Sequence, residues 1–371
     1  MKYFLQLHTG SYGHAGITAK EALRVISDLT DRLDVSGVIW GWTKDDALNE
    51  ALCDFSDERG LQSYFWLPVF SEVMDVSAEE PFVFPSGENN TAIVLNEDES
   101  FEFGCPKSKA NIDHAIKMYE TITGKLHFTG VFLDRIRYPS AANSRLALGG
   151  CRCALCMKEY EEAHVNIAHV DQLLKRDVNK AMYLTDLRSS SRYGYQEKDI
   201  DLLWTVKRRI ITGAIERLST YFHARGLSVG VDTFAPALAD FVCQDLDEIS
   251  EFVDFMKPMI YRRTNAPAGM TFEEKAVFCE TGENNTVLQS IWGGSIASDA
   301  AVSKQIAAAV RGRTDICPGI EINRFRSICD TDAEYVTRST EIFEKAGCSC
   351  AVLSWNVSHM DPEICRALEK P

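Results

Sequence analysis

Three things are missing from this 371-residue sequence, and each removes a class of function. Basic charge is scarce: 39 Lys and Arg stand against 54 Asp and Glu, a formal net charge of −15. Binding a phosphate backbone needs clustered cations, so nucleic acid is not an expected partner. Long apolar runs are absent too, none approaching the ~18 residues of a membrane span. The apolar start, MKYFLQLH, is shorter than a signal h-region and no small-residue cleavage site follows it. The expectation is a soluble, cytoplasmic protein with no membrane partner, its oligomeric state left open. Finally, no G-x-G-x-x-G turn follows the first apolar run, which removes the nucleotide site of an open doubly wound sheet. No organic cofactor is expected.

What is present suits a large core, since 45% of residues are hydrophobic and 25% charged. Short β-rich runs alternate with helical patterns along the whole chain, the mark of repeated βα units around a parallel sheet. Eight strands are predicted: 3–8, 37–42, 62–70, 129–137, 227–234, 255–261, 315–323 and 350–355. Several are apolar on both faces, as strands beneath a helical ring must be. The predicted fold is an α/β (β/α)8 TIM barrel, one domain over residues 1–371. Long insertions follow strands three, four and six, at 71–105, 140–200 and 283–298, the last carrying the β-like run NTVLQSIWGG. Four Thr-x-x-Glu/Asp pairs, at Thr18, Thr43, Thr271 and Thr331, read as capping boxes at helix starts, and Gly347 closes the helix before strand eight.

Residues at the C-terminal ends of barrel strands face the mouth, so polar groups there are the site candidates. In GVFLDRIRYPS an apolar strand runs straight into Asp134, Arg135 and Arg137, with no turn residue to account for the charges. In PGIEINR, Glu321 and Asn323 share a face by period-two alternation. Asp232 ends SVGVDTF in the same way. Glycosidic hydrolysis needs two carboxyl groups flanking one bond, and strands four and seven lie nearly opposite, so Asp134 and Glu321 are the expected catalytic pair with Asp232 in reserve. Trp40, Trp42, Tyr261 and Trp355 offer flat surfaces for sugar rings, and core packing is the competing role for each. His8, Arg135, Arg137, Lys257 and Asn323 complete the expected substrate contacts. The other seven histidines form no metal spacing.

Twelve cysteines are present. Cys53, Cys243, Cys279, Cys317, Cys329, Cys348, Cys350 and Cys365 sit singly or in apolar settings and read as reduced core thiols. Cys151-x-Cys153-x-x-Cys156 is different: three thiolates this close suit a soft metal, and Cys105 is the best-placed fourth donor for a closed structural zinc.

One cysteine after strand three followed by Cys-x-Cys-x-x-Cys after strand four resembles the zinc cluster of the family 42 β-galactosidases. That resemblance implies catalytic carboxylates on strands four and seven, here Asp134 and Glu321. The Asn-Glu pair that ends strand four in that clan is replaced by Asp134-Arg135. The stretches LDRIRYPS, GVDTFAPALADFVCQDL and FMKPMIYR resemble a second group over roughly residues 100–360: glycoside hydrolase-like barrels with a D-x-I-R-Y-P motif at a strand end. Both resemblances imply a carbohydrate-active hydrolase. Two other readings stay open on the residues alone: a barrel that binds a sugar or an anionic small ligand without cleaving it, and a metal-dependent lyase or isomerase using Asp134, Asp232 and Glu321 as hard-cation ligands.

Overall fold

The eight barrel strands of the computed structural model, which describes residues 1–11, 13–71, 80–85, 102–278, 283–310 and 314–369, are parallel and close on themselves. In chain order they are β1 (Lys2–His8), β2 (Val35–Gly41), β3 (Gln62–Pro68), β4 (Gly130–Asp134), β5 (Ser228–Phe234), β6 (Phe255–Met259), β7 (Gly319–Glu321) and β8 (Cys350–Ser354). Each pairs with the next. β8 pairs with β1, and Gly319 pairs with Met259 to join β7 to β6. A short strand, Asp315–Ile316, precedes β7 and also pairs with β6. Pro318 lacks the N–H that an unbroken strand would use there, which accounts for the gap in the predicted seventh strand. All eight predicted strands are present, most of them trimmed by one to three residues at their ends.

Inside the barrel the strands bury one set of side chains and toward the helices another. Phe4, Ile39, Tyr64, Phe132, Phe255 and Val352 fill the interior. Phe255 stacks on Phe4 with ring centroids 5.3 Å apart and on Phe132 at 5.7 Å. Gly230 makes room for this stack, because a Cβ there would lie 2.3 Å from the Phe255 ring. Two residues onward on the same strands, and therefore on the same inward face, stand Gln6, Trp66, Asp134, Asp232 and Lys257. An apolar plug thus closes the barrel below, and a polar layer tops it.

The helices begin where their caps place them. Thr18 and Glu21 form a complete reciprocal box at Ala19–Arg32. The other three boxes do not form. Asp45 and Asp332 take the N-cap positions, two residues past Thr43 and one past Thr331, since their carboxylates reach the free N–H groups. Thr271 lies inside the helix Met270–Phe278. The β-like run at 283–298 is helical, over Glu283–Trp292, so tertiary packing overrides its branched side chains. Insertion 140–200 contains a 3-10 turn, three short helices and the hairpin of Leu184–Leu187 with Tyr193–Tyr195. Of insertion 71–105, residues 72–79 and 86–101 lie outside the described residues, and bridges at Ser71–Phe103 and Pro81–Gly104 hold its ends together. Cys279 also lies outside the described residues. Two expected core thiols are instead bonded: Cys317 and Cys350 form a disulfide, Cα atoms 4.8 Å apart, inside the barrel.

Trp40 departs from expectation in a way that can be measured. It sits on the helix side of β2, 0% exposed, against Phe128 at 4.7 Å, with its indole N–H donating to Asn49 Oδ1 at 3.0 Å. It is core, not cleft. Trp40→Ala should therefore cost ~3–5 kcal/mol of folding stability, the usual range for emptying a buried aromatic site. Urea unfolding showing a loss under ~1 kcal/mol would place Trp40 elsewhere.

Candidate active site

A cleft of about 660 Å³ opens above the polar layer at the C-terminal ends of the strands. Gln6, Trp66, Asp134, Arg137, Asp232 and Tyr261 form its floor and walls, and residues 264–268 and Ile328 close over it. Asn265 N–H donates to the Ile328 carbonyl at 2.7 Å and holds that cover in place.

Asp134 and Asp232 are neighbours by register: Leu133 pairs with Val231, and each carboxylate is the next residue along. Their surroundings differ. Both Asp134 oxygens accept N–H bonds, Oδ2 from Trp66 Nε1 at 2.8 Å and Oδ1 from the Arg135 amide at 2.6 Å. Asp232 Oδ2 accepts from Lys257 Nζ at 2.9 Å, while its Oδ1 is buried with no donor among the described residues. Burial pushes the Asp232 carboxyl up to about 7, the Lys257 charge opposing that rise and the nearby Asp134 adding to it. Burial also works against the Lys257 ammonium, but Asp232 and Tyr261 outweigh it and hold Lys257 above the usual lysine range.

Lys257 is sealed beneath the cleft. Its three protons go to Gln6 Oε1 at 3.0 Å, Asp232 and Tyr261 Oη at 2.8 Å, so no donor remains for a substrate anion. Gln6 Nε2 is left with no acceptor among the described residues. Among the described residues, then, a donor on Gln6 and an acceptor on Asp232 lie buried without partners at the floor of the cleft.

Glu321 does not line this cleft. It is 0% exposed, and both oxygens are taken, Oε1 by the Arg263 amide at 2.6 Å and Oε2 by Tyr335 Oη at 2.6 Å. Burial pushes its carboxyl up to about 7 against those two bonds. Asn323 is likewise internal: its Nδ2 donates to the Asn356 carbonyl at 2.8 Å, and its Oδ1 accepts the Trp355 and Asn356 amides at 3.0 and 3.2 Å. Asn323 thus fixes the turn that carries Trp355.

Trp355 is half-buried and lines both this cleft and a wider one beside it, of about 1970 Å³, where His8 and Trp42 also lie. Arg135 takes a positive φ of 51° and lays its guanidinium over the Trp42 ring at 4.8 Å. Arg137 sits between the Phe103 and Phe234 rings, 4.7 Å from each, and donates to the Tyr138 carbonyl at 3.0 Å. Burial pulls Arg137 down to about 10, which leaves it charged at neutral pH. Sequence reasoning missed Trp66 and the cover at 264–268. Trp66 follows Tyr64 by two on an inward face, a signal that exists only once the parity of β3 is known.

The four predicted metal-ligating cysteines converge. The Sγ atoms of Cys105, Cys151, Cys153 and Cys156 all lie within 4.8 Å of one another, a set that can hold a metal ion. Cys153 caps the helix Ala154–Glu162. Val83 N–H points at Cys151 Sγ at 3.4 Å, and Asn111 Nδ2 donates to the Cys105 carbonyl at 3.0 Å. The cluster joins the connection after β3 to the one after β4.

Neither a protein-family profile nor a curated protein matches this sequence. In three dimensions the chain is similar to the glycoside hydrolase domain of PgaB (BpsB) from Bordetella bronchiseptica, at 14% identity over 99% of this chain and 97% of that one, with a TM-score of 0.53. It is also similar to α-L-fucosidase isoenzyme 2 from Paenibacillus thiaminolyticus, at 12% identity over 99% of this chain and 48% of that one, TM-score 0.53. A class V chitinase from Pseudomonas fluorescens Pf-5 follows at 10% identity over 98% of each chain, TM-score 0.50. At these identities the likeness is one of fold: a (β/α)8 barrel of the architecture these glycoside hydrolases use.

Proposed function

We propose that the chain is a glycoside hydrolase whose reacting carboxyls are Asp134 and Asp232. The observation that carries this reading is their placement side by side at the floor of one cleft, in environments that differ. Two carboxyls in unlike surroundings are the usual basis for dividing acid and nucleophile roles. Asp232, pushed up to about 7 and with a free oxygen, is the proton donor to the leaving glycosidic oxygen. Asp134, its oxygens fixed by Trp66 and the Arg135 amide, attacks the anomeric carbon as the bond to that oxygen breaks. Water then attacks the glycosyl-enzyme, giving its proton to Asp232 and releasing Asp134. This two-step route retains the anomeric configuration and calls for carboxyls ~5–5.5 Å apart. Glu321, held by Tyr335 and Arg263 outside the cleft lining, gives up its expected place to Asp232. The fold shared with glycoside hydrolases supports the reading. A cation-dependent lyase is disfavoured because the Lys257 ammonium already stands 2.9 Å from Asp232, where a metal would have to compete with it.

On a panel of nitrophenyl glycosides, Asp134→Asn and Asp232→Asn should each lose ~10²–10⁴-fold in kcat on whichever compound is hydrolysed, the range that positioned acid or base groups supply. Glu321→Gln should keep most of its turnover. A near-normal rate in either aspartate variant would sink the assignment. The proton on Asp232 is present below its folded value and lost above it. The alkaline limb of kcat/KM should therefore fall through about pH 7, and a rate that rises with pH across that point would reverse the two roles.

The four thiols are proposed to hold one structural zinc. Zinc–sulfur bonds of ~2.3 Å in a tetrahedron put sulfurs ~3.8 Å apart; here Cys105 Sγ lies 3.4 Å from Cys153 Sγ and 3.5 Å from Cys156 Sγ. Four thiolates would leave no open position for water, so the ion would serve to pin two connections rather than to react. Protein purified without chelator should contain close to one zinc per chain by elemental analysis. Cys153→Ser should release it and lower the thermal midpoint. Metal-free protein with an unchanged midpoint would overturn the site.

A further inference from the structure

We infer that the substrate is a linear chain of sugars, with one ring in the inner cleft and the rest of the chain lying in the wider cleft beside it; this rests on the hydrolase reading above. The two spaces adjoin, for Trp66, Ile328 and Trp355 line both. The outer space, at about 1970 Å³, is roughly three times the inner one, at about 660 Å³.

Aromatic rings run from the inner space into the outer one along both sides. On one side Tyr261 is followed by Trp355 at 6.3 Å, Phe325 at 5.9 Å and His359 at 5.5 Å. On the other, Trp66 is followed by Trp42 at 5.2 Å and His8 at 4.8 Å. Trp355 and Phe325, tilted 31° to one another, offer adjoining ring faces that suit a ligand repeating an apolar face, as a pyranose chain does, whereas the Trp66, Trp42 and His8 rings meet edge to face. The Trp42 indole N–H is buried with no acceptor among the described residues, and Trp42 lines the outer space. The junction at Trp66 and Trp355 lies beside Asp134, so the bond broken joins the inner ring to the outer chain. That chain then leaves through the outer cleft.

The test uses Phe325→Ala and His359→Ala, neither of which touches Asp134 or Asp232, together with oligosaccharides of two to six units built from whichever sugar the nitrophenyl panel identifies. Wild-type kcat/KM should rise roughly tenfold or more between the dimer and the tetramer, the factor that ~1.4 kcal/mol of added contact supplies. Phe325→Ala should remove most of that rise while leaving the nitrophenyl monosaccharide rate unchanged. A flat length profile, or an equal loss on long and short substrates, would overturn the inference and leave the hydrolase reading standing. Should no glycoside be hydrolysed, titration calorimetry with the same lengths from a panel of neutral oligosaccharides decides instead. Length-dependent binding that Phe325→Ala weakens would uphold the chain-binding cleft and reject hydrolysis; no binding at any length would reject both.

Discussion

A buried ammonium has to be met on all sides, and the barrel is arranged around that demand. Lys257 lies inside the barrel at 0% exposure, and its three protons reach Gln6 on β1, Asp232 on β5 and Tyr261 just beyond β6. Unpaired, such a charge would cost several kcal/mol. Paired, it ties three strands together at one level and fixes what the cleft above can be. The Asp232 oxygen turned to Lys257 is spent, the other is not, and Gln6 is oriented with its amide N–H₂ left over. The polarity of the floor follows from satisfying one lysine.

Much of the fold was legible because barrel strands are short apolar runs between polar helices, and periodicity alone locates them. What periodicity does not give is parity. A strand buried on both faces presents apolar residues at every position, so nothing in the sequence says that Ile39 faces the barrel interior while Trp40 faces Asn49 and Phe128. The same ambiguity hid Trp66, which sits in an unbroken apolar run. The helix at Glu283–Trp292 was missed for another reason: Thr286, Val287 and Ile291 favour strands, but the space outside a barrel strand calls for a helix.

The carboxylates show where one-dimensional reasoning stops. Glu321 and Asp232 look alike in sequence, each following a buried strand. They are separated by a partner that sequence offers no means of finding, the hydroxyl of Tyr335, delivered by the helix Ala333–Lys345 packed outside the barrel. The disulfide has the same origin. Cys317 and Cys350 are 33 residues apart and meet because β8 lies beside the segment leading into β7. The cysteine cluster, by contrast, announced itself, since three of its four members lie within six residues and local spacing survives folding.

The segment from Asp134 to Tyr138 links the cleft and the cluster mechanically. Asp134 is in the cleft. One residue on, Arg135 takes a left-handed backbone that a non-glycine residue adopts only at a cost of order 1 kcal/mol, offset by the bond from its own amide to Asp134 Oδ1 and by stacking on Trp42. Arg137 is then inserted between Phe234, at the end of β5, and Phe103, two residues before Cys105. The position of Phe103 is set from both sides, by the bridge to Ser71 and by its attachment to Cys105. Holding the four sulfurs together therefore holds the far wall of Arg137, and Arg137 in turn fixes the path of the chain away from Asp134. The cluster bears on the carboxylate through packing rather than through charge, which is why two sites with no shared residue belong to one arrangement.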